Sequence, residues 1–247
     1  MAKAPLADCL AAYGTLEAPQ RRRLAAIASR RARVRRRTDL LRQGEPTCWL
    51  PVVERGWLEH ARLLADGRRC LVRFSLPGDL VDSALPAAGR PQFTVTAVSE
   101  ARVTLVDGAG FLEALEGDSA IARAFMNLQA AEQSRARERA VVLARMDAYE
   151  RLGDVCLDLL SRLEVTGQAN GGGFDLPVSQ RSLGEFLGLH AVHVNRMFQR
   201  MEADGFIVRN GSHVRVVDRQ GLAGLVAFRS RHGTHALRAG EGDESME

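Results

Sequence analysis

Residues 176–218 read LPVSQRSLGEFLGLHAVHVNRMFQRMEADGFIVRNGSHVRVVD, and their punctuation decides the fold. Ser179 is a good helix N-cap, Leu183, Phe186 and Leu187 form one apolar face, and Gly188 permits the sharp turn that ends a first helix. A second helix is predicted from near His190 to about Asp204. Val194, Met197, Phe198 and Met201 fall at core spacing, with His193, Asn195, Arg196, Gln199 and Arg200 on the other sides. Gly205 closes that helix, and FIVR, an Asn210-Gly211 turn and HVRVVD then predict a two-stranded hairpin. The order describes a winged helix-turn-helix. A helix entering the DNA major groove needs an apolar back for anchorage and long hydrogen-bonding side chains for base edges, and this segment offers both.

Upstream, residues 149–163 carry Leu152, Val155, Cys156, Leu159, Leu160 and Leu163 at three- and four-residue spacing, one buried helix face. TGQANGGGFD then interrupts it, and Gly171 to Gly173 predict a flexible loop. Before that helix, the chain from Asp118-Ser119 to about Asp147 holds neither Pro nor Gly, which predicts a rod about 45 Å long capped by Asp118 or Ser119. A seven-residue stripe runs through Ile121, Phe125, Leu128, Glu132, Arg135, Arg139, Val142, Met146 and Tyr149. A helix of this length has little core of its own to cover it, so packing against a partner helix in a homodimer is expected.

From Thr38 to about Asp107 the signals change to short apolar runs. Turns at Gly44, Gly56, Gly67 and Gly78 recur every 11 or 12 residues, as in an antiparallel barrel or sandwich. Up to Arg37 the pattern reads as helical and heavily basic, with nine arginines between Arg21 and Arg37, and a solvated helix face is favoured over a nucleic-acid patch.

The 247 residues suggest two compact units, and 46% hydrophobic with 26% charged residues is globular composition. No apolar run approaches a membrane span and no signal-peptide layout is present, so a cytoplasmic protein without membrane contact is expected. The formal charge is +4, and Lys3 is the single lysine among 34 basic residues. That arginine bias suits phosphate and guanine contacts. Cys9, Cys48, Cys70 and Cys156 lack metal-ligand spacing and read mostly as reduced core thiols, and His190 with His193 has no third ligand nearby, so no metal site is expected. No nucleophile elbow, phosphate loop or zinc-protease motif supports an enzyme.

VSQRSLGEFLGLHAVHVNRMFQRMEADGFI resembles the DNA-binding domain of the Crp/Fnr family of bacterial transcription regulators, and the likeness extends over nearly the whole chain to about residue 225. LLRQGEP, ERGWLEHARLLADGRRCLVRFSLPGDLV and ARVTLVDGAGF are similar to the family's cyclic-nucleotide-binding-type β-roll. The resemblance implies an α+β chain with an N-terminal antiparallel β-roll (1–117), a dimerisation helix (118–148) and a C-terminal winged helix-turn-helix (149–230), while the polar, aromatic-free composition of 231–247 predicts a disordered tail. It implies that Arg196 pairs with guanine and that Ser179 and Gln180 hold the DNA backbone. Val192 stands where many members carry a glutamate, and Asn195 where they carry a serine or glycine, so the half-site is not transferable; His193 and Arg200 complete the expected DNA-binding set.

Cyclic-nucleotide binders of the family carry Gly-Glu and later Arg-Ser or Arg-Thr, where this chain has Gly78-Asp79 and Arg90-Pro91. Asp79 and Arg90 are the candidate ligand residues, yet neither a cyclic nucleotide nor haem is expected, and Cys9 alone cannot hold an iron-sulfur cluster. The expected function is a homodimeric regulator acting on double-stranded DNA at a palindromic promoter site, meeting RNA polymerase if it activates. A second reading makes the protein a ligand or redox sensor, through Asp79 and Arg90 or through the thiols with His60, with DNA binding secondary.

Overall fold

The computed structural model describes residues 5–226, and the expected disordered tail lies outside the described residues. Two short helices open it, α1 (Pro5–Ala11) and α2 (Ala18–Ala26), followed by strands β1 (Ser29–Val34), β2 (Asp39–Leu41), β3 (Trp49–Arg55), β4 (Leu58–Leu63) and β5 (Arg69–Ser75). A single turn of helix, α3 (Leu85–Ala88), precedes β6 (Thr94–Ala97) and β7 (Ala101–Asp107). All strand pairs are antiparallel, in two sheets ordered β1-β7-β3 and β2-β6-β4-β5. The predicted turn glycines Gly44, Gly56, Gly67 and Gly78 all take positive φ. At Gly56 a Cβ would meet the Glu100 carbonyl oxygen at 2.3 Å, so that turn requires glycine twice over.

The helical reading up to Arg37 holds through α1 and α2 and is corrected beyond them. Residues 29–34 are an edge strand paired with β7, because Ser-Arg-Arg-Ala-Arg-Val alternates and buries Val34 while its arginines stay in solvent. The cysteine expectation holds for only two of four: Cys9 and Cys156 are buried, Cys48 and Cys70 exposed.

Helix α4 (Gly108–Glu116) leads into α5 (Ser119–Arg145), whose 27 residues span about 40 Å. Asp118 caps α5, accepting from the amides of Ala120 and Ile121. The predicted stripe is largely covered from within the chain. Ile121 and Leu128 enter the core of the roll, Val142 and Met146 pack with Val226, and Glu132 in the polar middle binds Arg73 at 2.6 Å. The exposed residues of α5 include a neighbouring 3-4 row of Arg123, Met126, Ala130, Gln133, Arg137, Ala140 and Ala144.

Helix α6 (Ala148–Val165) starts with a capping box between Asp147 and Glu150. Strand β8 (Gly173–Asp175), helices α7 (Gln180–Leu187) and α8 (Ala191–Ala203), strands β9 (Ile207–Asn210) and β10 (His213–Val216) and helix α9 (Arg219–Leu225) complete the described chain. Gly173 was expected in a loop. With Gly171 and Gly172 turning through positive φ, it enters β8 and pairs with Arg215, so the hairpin is a three-stranded sheet ordered β8-β10-β9. The hairpin's central residues are Gly211 and Ser212, one position later than the Asn-Gly reading, since Asn210 pairs with His213.

One core lies inside the roll with α1, α4 and the start of α5. The other is shared: Trp57, Phe74 and Leu76 of the roll pack with α6, α7, α8 and the small sheet. No helix among the described residues is long and apolar enough to cross a membrane.

Candidate nucleic-acid interface

Ser179 caps α7 as predicted, accepting from the Ser182 amide, and Gly188 ends it in the left-handed conformation at φ 69°. Close approach of the turn to α7 depends on Gly184, which the sequence reading passed over. A Cβ there would lie 2.6 Å from the Leu189 carbonyl oxygen and 3.4 Å from the Ala191 amide nitrogen. Glycine in mid-helix is otherwise unfavourable, and its place on the face toward the turn was the available signal.

Helix α8 buries Val194, Phe198 and Met201 completely or nearly so, with Met197 packed at their edge. That anchorage turns Val192, His193, Arg196 and Gln199 into solvent, Val192 at 65% exposure. Asn195 sits between the two faces, its side-chain oxygen accepting from Gln180 Nε2 at 3.3 Å. This bond ties the second helix to the first turn of α7, where Ser179 and Gln180 are exposed beside free backbone N–H groups. Arg196 has no hydrogen bond or ion pair within the described residues. Arg200 differs: its guanidinium stacks on Tyr149 at 4.2 Å and approaches Asp204 at 3.6 Å, which holds it toward α6.

The paired strands place Gly211 and Ser212 at the tip of the small sheet. Together with Ser179 and Gln180, this tip lines a cleft of about 520 Å³ whose far wall is the roll, at Arg36, Ser99 and Glu100.

Asp79 and Arg90 have separate partners. Asp79 accepts from Arg162 at 2.5 Å and from the Leu76 amide at 2.9 Å, whereas Arg90 donates to the Gly44 carbonyl at 2.7 Å. His60 is buried and bound to Ser75 Oγ at 2.7 Å, with its pKa driven well below the usual value by burial and by Arg73 and Arg162. Burial pushes the Cys9 and Cys156 thiols up to about 12. No group of three or more His, Cys, Asp or Glu residues suited to a metal ion occurs among the described residues.

Comparison with known proteins agrees with this architecture. Residues 150–225 match the model of the Crp-like helix-turn-helix domain. The chain is 33% identical over 175 residues to the nitrogen fixation regulation protein FixK of Azorhizobium caulinodans, covering 70% of each protein. It is 25% identical over 204 residues to the transcriptional activator protein FnrA of Stutzerimonas stutzeri, covering 81% of each. Among solved structures, FixK2 of Bradyrhizobium japonicum superposes with a TM-score of 0.74 at 26% identity, covering 81% of this chain and 98% of that one.

Proposed function

The chain belongs to the Crp/Fnr family of bacterial transcription regulators and is a DNA-binding regulator of that type, and from this premise we propose that it acts as a homodimer on a palindromic promoter site. The observation that carries the site assignment is the exposed, unpaired guanidinium of Arg196 on a helix whose other face is anchored by Val194, Phe198 and Met201. Arg196 reads guanine in the major groove, Asn195 and His193 contact neighbouring base edges, and Val192 offers an apolar contact to a thymine methyl. Ser179 and Gln180 meet phosphate at the start of α7. Arg200, drawn onto Tyr149, adds positive charge to the surface without reading a base.

The dimer forms along the exposed row of α5 that includes Met126, Ala130 and Ala140, displaced from the stripe read in the sequence, because that stripe is already used inside the chain. Small side chains at this row allow close helix approach. Two copies related by a two-fold axis place their α8 helices for half-sites about one helical turn apart. If it activates transcription, as the name of the similar FnrA states for that protein, it also meets RNA polymerase.

Selection of bound DNA from a random pool by the purified protein tests the proposal. The expected product is an inverted repeat containing guanine at a fixed place in each half. Arg196→Ala then costs about 1 to 3 kcal/mol on the selected site and relaxes preference at that guanine. Recovery of no enriched sequence rejects sequence-specific binding, and an equal loss on selected and random DNA rejects the role of Arg196.

A further inference from the structure

An asparagine amide accepts through its carbonyl oxygen and donates through its NH2, so the end that faces the major groove decides which bases it can read. Asn195 shares a 3-4 row of α8 with Val192, Arg196 and Gln199, and it is the half-buried member of that row. Its oxygen is engaged. Gln180, the first residue of α7, donates from Nε2 to Asn195 Oδ1 at 3.3 Å across the helix-turn-helix. Asn195 Nδ2 makes no hydrogen bond within the described residues.

The frame around this pair is fixed on both helices. Ser179 Oγ accepts from the Ser182 amide at 3.0 Å, which sets the first turn of α7, and Arg181 turns aside to Glu185 at 3.3 Å. Gln180 is the side chain of that turn that reaches α8. On α8 itself, Val194 and Phe198 are buried in the core, which anchors the backbone on either side of Asn195. The partial positive charge at the start of α7 suits the direction of the bond, since it attracts the Gln180 amide oxygen and leaves the NH2 to donate. The second Nε2 hydrogen of Gln180 remains free for a phosphate oxygen, so backbone contact and the bond to Asn195 are compatible.

We propose that Gln180 is a positioning residue for base reading, which holds the Asn195 oxygen toward α7 so that the Asn195 NH2 faces the groove and selects a keto base. Guanine O6 and thymine O4 accept from such a donor, whereas cytosine offers its N4 amine there and has nothing to receive the proton. Adenine is disfavoured by geometry. Its bidentate contact needs the amide oxygen on N6 and the NH2 on N7 together, and the bond to Gln180 turns the oxygen away from that edge. This role rests on the DNA-binding reading of α8. It gives Asn195 a defined preference beside the guanine of Arg196, set by a residue that touches no base.

The test selects bound sequences from a random pool with the full-length wild type and with variants at both positions. Asn195→Ala identifies the base position that Asn195 reads, as the one whose preference flattens while the guanine of Arg196 persists. There the wild type should enrich guanine or thymine over adenine and cytosine by about 2- to 12-fold, the net weight of one hydrogen bond. Gln180→Lys can only donate, so it should keep the keto preference. Gln180→Glu can only accept, which draws the Asn195 NH2 toward α7, turns the oxygen to the groove and should invert the preference to adenine or cytosine. Gln180→Met does neither and should bring adenine up to parity with the keto bases. A uniform drop in affinity with the wild-type preference kept in Gln180→Glu and Gln180→Met makes Gln180 a backbone contact alone and overturns the proposal. A wild-type preference for adenine or cytosine at that position, or no flattened position in Asn195→Ala, overturns it as well. Should Gln180→Glu fail to bind, Gln180→Met decides. Absence of any enriched sequence with the wild type rejects sequence-specific reading itself, a failure distinct from these.

Discussion

Arg162 of α6 donates to Asp79 of the roll at 2.5 Å, and the same guanidinium reaches the Phe74 carbonyl at 3.3 Å. The carboxylate that matches the ligand position of the resembled β-roll is thus bound to the helix leading into the DNA-binding domain. Burial works against the charge of Arg162, but Asp79 and Asp158 more than offset it, so its pKa is raised. Arg73 stands 3.9 Å from Asp79 and 2.6 Å from Glu132, which extends the chain of charges from α6 through the roll to α5.

Asp79→Asn should therefore act on stability and domain docking. Removing one partner of a mostly buried pair leaves Arg162 poorly compensated and should cost about 3 kcal/mol, read by urea unfolding. The double variant Asp79→Asn, Arg162→Met should recover much of that loss. A variant as stable as the wild type would show that the pair carries no weight.

Gly184→Ala should damage the helix-turn-helix while sparing the roll. Its methyl would sit 2.6 Å from the Leu189 carbonyl oxygen, a backbone atom that cannot move without opening the turn and tilting α8. Binding to the selected DNA should fall at least about tenfold, equivalent to roughly 1.4 kcal/mol. Wild-type affinity would mean that the turn relaxes freely.

Ala140→Glu places a charge on the exposed row of α5 away from either core. Sedimentation should show dissociation of the dimer with secondary structure retained, since two like charges across a two-fold axis meet each other. Leu128→Glu, on the stripe read in the sequence, should instead unfold the roll, because Leu128 lies in its core. Equal dimerisation of Ala140→Glu and wild type would place the interface elsewhere.

Thiol labelling at neutral pH should modify Cys48 and Cys70 at once and leave Cys9 and Cys156 unreactive until the protein unfolds. The thiolate is the reactive form, and with pKa values pushed up to about 12 the two buried thiols hold almost none of it. Prompt labelling of all four would show that the cores around Cys9 and Cys156 open readily.

Local chemistry made much of this fold legible in the chain alone. Ser179 and Gly188 mark helix ends through capping and left-handed geometry, and Val194, Phe198 and Met201 repeat at helical period, so α7 and α8 followed from short-range rules. The turn glycines at 44, 56, 67 and 78 disclosed the roll for the same reason. Tertiary structure decided what depends on neighbours distant in sequence. The strand at 29–34 exists because β7 pairs with it, and local pattern could not tell its arginines from a helix face. The Gly173 strand exists because β10 supplies a partner. The free face of α5 was fixed by the roll and α9 covering the other, the carboxylate of Asp79 was taken by Arg162, and the turn at Arg36 was brought to the α7 N-terminus by packing across some 140 residues of chain. Periodicity shows that a helix has faces, whereas only the packed molecule settles which face remains for a partner.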